Sequence, residues 1–277
     1  MKPIPLLVEL CAGTAALSLR LHQEGARPPV SRMGAKTGYA DIILERMGLV
    51  PGQGADAYLF CEPDPGVRLL LLAYTDQTLA RAAADVIRGW AEEDPRALWE
   101  RLKAEGPVRA PEPREVARWT TIQGWGSTGY WCGPDRGGAI KGHPEGWTGS
   151  ITLDGMTGRL DALPELPATV LVEAVEPPRL PKNSWVYMDP PYQGTTGYAH
   201  DLPREEVVRL ARLWREAGAN VCISEAEPIP DLVAEGWHVV EITGDRKGQK
   251  RTFSKQKREF LTMSREPRGQ LGFWGLS

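Results

Sequence analysis

Seven short apolar runs place the tightest constraint on what this chain can fold into. They are LLVEL (6–10), YLFC (58–61), VLVEAV (170–175), WVYM (185–188), NVCI (220–223), HVVEI (238–242) and EFLTM (259–263). Most are continuously apolar rather than alternating, as expected of strands covered on both faces. Helical periodicity lies between them. Leu79, Ala82, Ala83, Val86, Ile87 and Trp90 share one helical face. So do Val207, Leu210, Ala211 and Trp214, with Pro203 near the start and Gly218 just past the end. Strands alternating with helices imply an α/β fold with a mainly parallel, doubly wound sheet.

The alternation breaks between about 101 and 168. PVRAPEPREVARW is rich in proline and arginine, and the glycine-rich stretch after it carries neither period. Trp119, Trp125, Tyr130, Trp131 and Trp147 crowd that region. Aromatic density argues against disorder, so 101–168 reads as an inserted lobe of irregular loops, with 1–100 and 169–277 forming the main domain. A chain of 277 residues suits one large domain with such an insertion.

Composition excludes some classes. No run approaches the ~20 apolar residues of a membrane helix. Glu9 interrupts the first apolar run, which argues against a signal peptide. Cys11, Cys61, Cys132 and Cys222 are too scattered for a zinc site or disulfide framework, and a cytoplasmic location is expected. A net charge of −3 disfavours indiscriminate nucleic-acid binding. A local basic run, RKGQKRTFSKQKR (246–258), is either a solvated surface loop or a phosphate-binding face. His22, His143, His200 and His238 form no cluster, and no metal is expected.

In a doubly wound sheet, ligands bind beyond the carboxyl ends of the strands. Three segments leave such ends. After LLVEL, Ala12-Gly13-Thr14 is either a tight strand–helix turn or a place where backbone approaches a ligand. After YLFC, Glu62 is placed to bond the hydroxyls of a ribose, or else Glu62 or Asp64 caps the helix from Gly66. After WVYM comes Asp189-Pro190-Pro191-Tyr192. Neither proline has an N–H, and Asp189 is pushed to an extended conformation, so the loop is stiff. Chance gives this tetrapeptide about once or twice per thousand chains of this length.

Asp189 to Tyr192 resemble the Asp-Pro-Pro-Tyr motif of amino-group DNA methyltransferases, and most closely the Dam-like adenine-N6 enzymes. The resemblance covers most of the chain outside 101–168. It implies a Rossmann-like sheet that binds S-adenosylmethionine, with an inserted recognition lobe that meets double-stranded DNA. ELCAGTA (9–15) resembles the family's cofactor loop, with Cys11 in place of its phenylalanine and Ala15 in place of its second glycine. Glu9, Cys11, Ala12, Gly13, Lys36, Glu62 and Asp189 are the implied cofactor contacts. RMGAKTGYADIIL resembles the family's lysine segment, with Lys36 matching the lysine, although it follows Gly13 where the family places it earlier. As plain sequence it reads as a helix-entry turn.

The chemistry suits the motif. An exocyclic amine is a poor nucleophile because its lone pair is delocalised into the ring. A carboxylate (Asp189) and a carbonyl (Pro190) accepting its two N–H bonds would make the nitrogen pyramidal, and Pro191 would stiffen the loop. Tyr192 would stack on a base flipped from the duplex, with Tyr198 helping to hold it. Lys247, Lys250 and Arg251 would contact phosphates. Methylation of cytosine N4 uses the same geometry, and a non-catalytic DNA-binding protein with this fold is the alternative from another class. No nuclease segment is recognisable, so a stand-alone methylase, such as the partner of a separate restriction enzyme, is one expected setting.

Overall fold

The computed structural model describes residues 2–30, 36–127, 130–131, 151–177, 179–192, 202–243 and 258–268. Seven strands form one sheet: β1 (Leu7–Leu10), β2 (Tyr58–Cys61), β5 (Ala168–Leu171), β6 (Trp185–Met188), β7 (Asn220–Glu225), β8 (His238–Glu241) and β9 (Phe260–Met263). Two short strands, β3 (Gly126–Ser127) and β4 (Tyr130–Trp131), pair separately as an antiparallel ladder. The main order is β5-β2-β1-β6-β7-β9-β8. The first five of these are parallel, whereas β9 runs antiparallel to both β7 and β8. The chain winds outward from β1 to β2 and β5 on one side, then returns to β6 on the other. The crevice between β1 and β6 is therefore the topological switch point, where such sheets bind ligands.

Nine α-helices cover the sheet in the described residues: α1 (Ala16–His22), α2 (Ala40–Met47), α3 (Pro65–Ala73), α4 (Gln77–Arg88), α5 (Pro95–Ala104), α6 (Pro113–Trp125), α7 (Leu153–Asp161), α8 (Arg204–Glu216) and α9 (Pro230–Ala234). Strand alternation divides the core in two. Leu7, Phe60, Trp185, Tyr187, Cys222 and Leu261 face the layer of α1 to α7. Val8, Leu10, Val186, Met188, Val221 and Ile223 face α8 and α9. Burial on both faces explains why these strands carry unbroken apolar runs. No helix among the described residues is long and apolar enough to cross a membrane.

The sequence expectations hold in outline and shift in three places. The run expected as a strand at 170–175 pairs only through Leu171, because β2 offers just four residues to pair with. Helix α4 turns Ala80, Ala83, Ala84 and Ile87 fully inward, so its buried face is rotated slightly toward Ala80 and Ala84. The third shift is in 101–168. PREVARW, expected as irregular chain, opens α6, since Pro113 sits in the first helical turn where a missing N–H costs nothing. The described parts of that segment share the main core. Val116, Ala117, Trp125, Met156 and Leu160 join one apolar cluster with the sheet.

Arg118, wholly buried on α6, holds the end of α5. Its guanidinium donates to the Leu102, Gly106 and Pro107 carbonyls and to Glu115. Residues 132–150, which carry Trp147, lie outside the described residues.

Candidate functional site at the switch point

Two loops meet at the carboxyl edge of the sheet. Glu62, Cys11 and Asp189 each follow the last residue of their strand, and Ser224 occupies the matching register of β7. The ladder continues past the strand ends: the Ala12 N–H donates to the Cys61 carbonyl at 2.9 Å, and the Glu62 N–H to that of Leu171 at 3.0 Å.

The loop after β1 is defined by its backbone. Cys11 (φ 60°), Gly13 (φ 52°) and Ala15 (φ 44°) are all left-handed. For the two non-glycine residues this costs roughly 1–2 kcal/mol each, and such strain clusters where a backbone is shaped for a ligand. A side chain at Gly13 would meet nothing within 4 Å, so its Cα faces open space. Three contacts hold the loop. The Glu62 carboxylate accepts the Gly13 N–H at 2.7 Å, the Tyr74 hydroxyl donates to the Thr14 carbonyl at 3.1 Å, and Glu9 accepts the Ser18 N–H at 2.8 Å.

Glu9 is only 2% exposed, and burial raises its pKa from 4.5 to about 7. It supports the first turn of α1 from beneath. Cys11 is half-buried, and burial together with nearby Glu62 and Asp189 pushes its thiol far up, so it remains protonated.

Two acids after β2 divide the roles that the sequence left open. Asp64 caps α3, accepting from the Gly66 and Val67 N–H groups at 2.8 and 3.2 Å. Glu62 instead joins its own loop to the one after β1, taking the Gly13 N–H on one oxygen and that of Asp64 on the other. Both carboxylate oxygens of Glu62 thus accept from backbone N–H groups at the sheet edge. Gly66 brings α6 against this wall, since a Cβ there would fall 2.5 Å from the Trp119 ring.

The loop after β6 is defined by charge. Lys36 begins a short 3-10 turn (Lys36–Gly38) that leads into α2, as a helix-entry segment should, yet its side chain crosses to the other loop. Its Nζ lies 2.6 Å from Asp189 Oδ1 and 3.8 Å from Glu259 Oε1, and 4.9 Å from the centroid of the Tyr192 ring. Ser224 donates to the same Asp189 oxygen at 3.0 Å and is itself bonded to the Tyr187 hydroxyl at 2.7 Å. The Tyr192 hydroxyl donates to Glu259 at 2.6 Å. Burial pushes the Asp189 carboxyl up, against the opposing pull of Lys36 and Ser224. The Tyr192 phenol is driven well above its usual range by burial and the neighbouring carboxylates.

Sequence reasoning thus named Lys36, Asp189 and Tyr192, which converge, and Gly13 with Glu62, which also converge. It missed Ser224, Tyr187, Glu259 and Glu225. Ser224 and Glu225 had an available signal, since they end an apolar run at the ligand-binding edge. Glu225, 2% exposed, lies 3.4 Å from Arg204 and titrates near about 7 because of burial. Among the described residues, its Oε1 and Arg204 Nη1 have no hydrogen-bond partner. Tyr198, Lys247, Lys250 and Arg251 lie outside the described residues. Among the described residues, no three His, Cys, Asp or Glu side chains converge as a metal site.

The arrangement offers an open, strained backbone turn with the Glu62 carboxylate on one side of the switch point. On the other it offers a rigid carboxylate held by a lysine and a serine. No protein-family model matches the chain, and no curated protein matches it at a significant level.

Proposed function

We propose that this chain is an S-adenosylmethionine-dependent DNA methyltransferase that acts on the exocyclic N6 of adenine. The observation that carries the reading is Asp189-Pro190-Pro191-Tyr192 at the carboxyl end of β6, directly across the switch point from the Gly13 turn. A ligand laid over the Gly13 turn with its ribose toward Glu62 extends toward Asp189. Gly13 and Glu62 would hold the cofactor, and Glu9 and Tyr74 would keep the turn in shape.

S-adenosylmethionine, when bound, supplies a methyl group on positively charged sulfur. Asp189 accepts one N–H of the substrate amine and the Pro190 carbonyl accepts the other, which localises the nitrogen lone pair. On taking that methyl group the amine would become positively charged, and its surplus proton would leave by way of the Asp189 carboxylate. Ser224 and Tyr187 fix the rotamer of Asp189, so the acceptor is organised before the amine arrives. Tyr192 presents an aromatic face for the target base, and the duplex must release that base for it to reach the loop.

Calorimetric titration with S-adenosylmethionine, with and without Asp189→Ala, tests the reading. We expect binding to both proteins and methyl transfer by the wild type alone. Absence of cofactor binding by a folded wild type would leave a DNA-binding protein on a methyltransferase-like scaffold. Wild-type turnover by Asp189→Ala would remove Asp189 from the role given to it.

A further inference from the structure

We propose that Lys36 is a shared counter-ion that passes from Asp189 to Glu259 when an amine binds, which makes Glu259 a positioning residue for the reaction proposed above. One ammonium serves two carboxylates here, at 2.6 and 3.8 Å. A shift of about 1 Å toward Glu259 would exchange one hydrogen bond for the other. The Tyr192 ring stands beside the cation, and the Tyr192 hydroxyl already fixes the Glu259 oxygen that would receive it. The Glu259 backbone is held as well, its N–H donating to Thr243 at 2.9 Å and its carbonyl accepting from Ile242 at 2.8 Å. The receiving carboxylate is therefore stationary, and Lys36 is the part that moves.

The exchange answers a chemical need. In the free protein, Oδ1 of Asp189 takes donors from both Lys36 and Ser224. A carboxylate whose charge is spent on an ammonium is a weak acceptor for an amine N–H. Transfer of Lys36 to Glu259 restores the charge on Asp189 as the substrate arrives, while the buried site keeps the same net charge. Among the described residues, titratable groups that influence this cluster include Tyr187 on β6, Tyr192 after it, Glu9 on β1, Cys11 after β1 and Glu225 at the end of β7.

The test reads Asp189 directly, by carbon-13 NMR titration of carboxylates in the full-length protein, independent of any reaction. Glu259→Gln removes a carboxylate from beside Lys36, and the Asp189 midpoint should fall by about one pH unit. In Lys36→Met it should rise by about as much or more. Tyr192→Phe takes one donor from Glu259 and strengthens its pull on Lys36, so the midpoint should rise there too, which covers the case of a Glu259 variant that does not fold. Shifts in the same direction for Glu259→Gln and Lys36→Met, or no shifts, would overturn the exchange. Under methyl-transfer conditions, Glu259→Gln should lose about tenfold in kcat, keep its KM for S-adenosylmethionine and move the acidic limb of its pH profile downward. An unchanged kcat would also overturn the role. Failure of the methyltransferase reading would show separately, as absence of transfer by the wild type with the NMR shifts intact.

Discussion

The loop after β1 and the loop after β6 face each other across one crevice, yet different forces hold them. The first is shaped by main chain: three left-handed residues in five, pinned by hydrogen bonds to N–H and carbonyl groups. The second is shaped by side chains: an ion pair, a serine and two tyrosines converging on one carboxylate and its neighbour. A backbone-built turn tolerates side-chain changes and resists conformational ones. A charge-built loop behaves the other way, because removing one member leaves a buried partner unsatisfied. Substitutions on the two sides should therefore fail differently.

The largest expected effect is on the charged side. Asp189→Ala should lower methyl transfer by at least about 10²–10³-fold, the cost of removing one preorganised group. Its affinity for DNA should change little, as a filter-binding or anisotropy titration would show. Next comes Lys36→Met, which strips the counter-ion from a largely buried carboxylate. Breaking such a pair costs about 3–5 kcal/mol, and urea denaturation should show the loss at pH 8. Burial already holds the Asp189 pKa above its ordinary value, and the variant raises it further. The acid then protonates more readily in the folded state, so the loss should shrink toward pH 5. A pH-independent loss would mean that Lys36 contributes packing rather than charge.

On the backbone side, Glu9 gives a smaller effect with a definite sign. Its folded pKa, about 7, lies above the unfolded value of 4.5. The folded state therefore binds the extra proton between these values, and wild-type stability falls as pH rises through that window. Glu9→Gln keeps an acceptor for the Ser18 N–H and removes the titration. Its advantage over the wild type should be near zero below pH 4.5 and grow to about 3 kcal/mol above pH 7. A constant offset would place the Glu9 carboxyl in a more solvated setting. The smallest effect is expected at Cys11. Glycine there relieves the left-handed strain but adds freedom to the unfolded chain, and the two nearly cancel. Thermal melts should differ by no more than about 1 kcal/mol, whereas a large loss would mean that the thiol itself holds the turn.

The same contrast explains what the sequence disclosed. The WVYM run is continuously apolar because β6 is buried on both faces, so it was visible, and the acid and prolines that follow it marked the charged loop. The turn after β1 was visible through Gly13, although nothing local announced that Cys11 and Ala15 would also be left-handed. Glu259 was hidden by topology. It precedes its strand, and only the antiparallel direction of β9 brings a strand's beginning to the edge where the parallel strands end. Tyr187 was hidden by its type, since a tyrosine in an apolar run reads as core until its neighbour across the sheet is known, whereas Ser224 could have been found from its place at the end of such a run. Helix α6 was obscured because Pro113, Arg114 and Arg118 look like loop composition. In place, the proline starts the helix and Arg118 satisfies carbonyls at the end of α5. The join between Gly13 and Glu62 spans 49 residues of chain, and no local pattern records it.

One measurement bears most directly on the function proposed here. Purified protein is incubated with labelled S-adenosylmethionine and unmethylated double-stranded DNA of varied sequence, and the DNA is digested to nucleosides for mass spectrometry. We expect label in N6-methyladenine, absent with Asp189→Ala. Label in N4-methylcytosine would keep the Asp189 chemistry and change the base. DNA without any methylated nucleoside, from a folded protein supplied with both substrates, would contradict the proposed function.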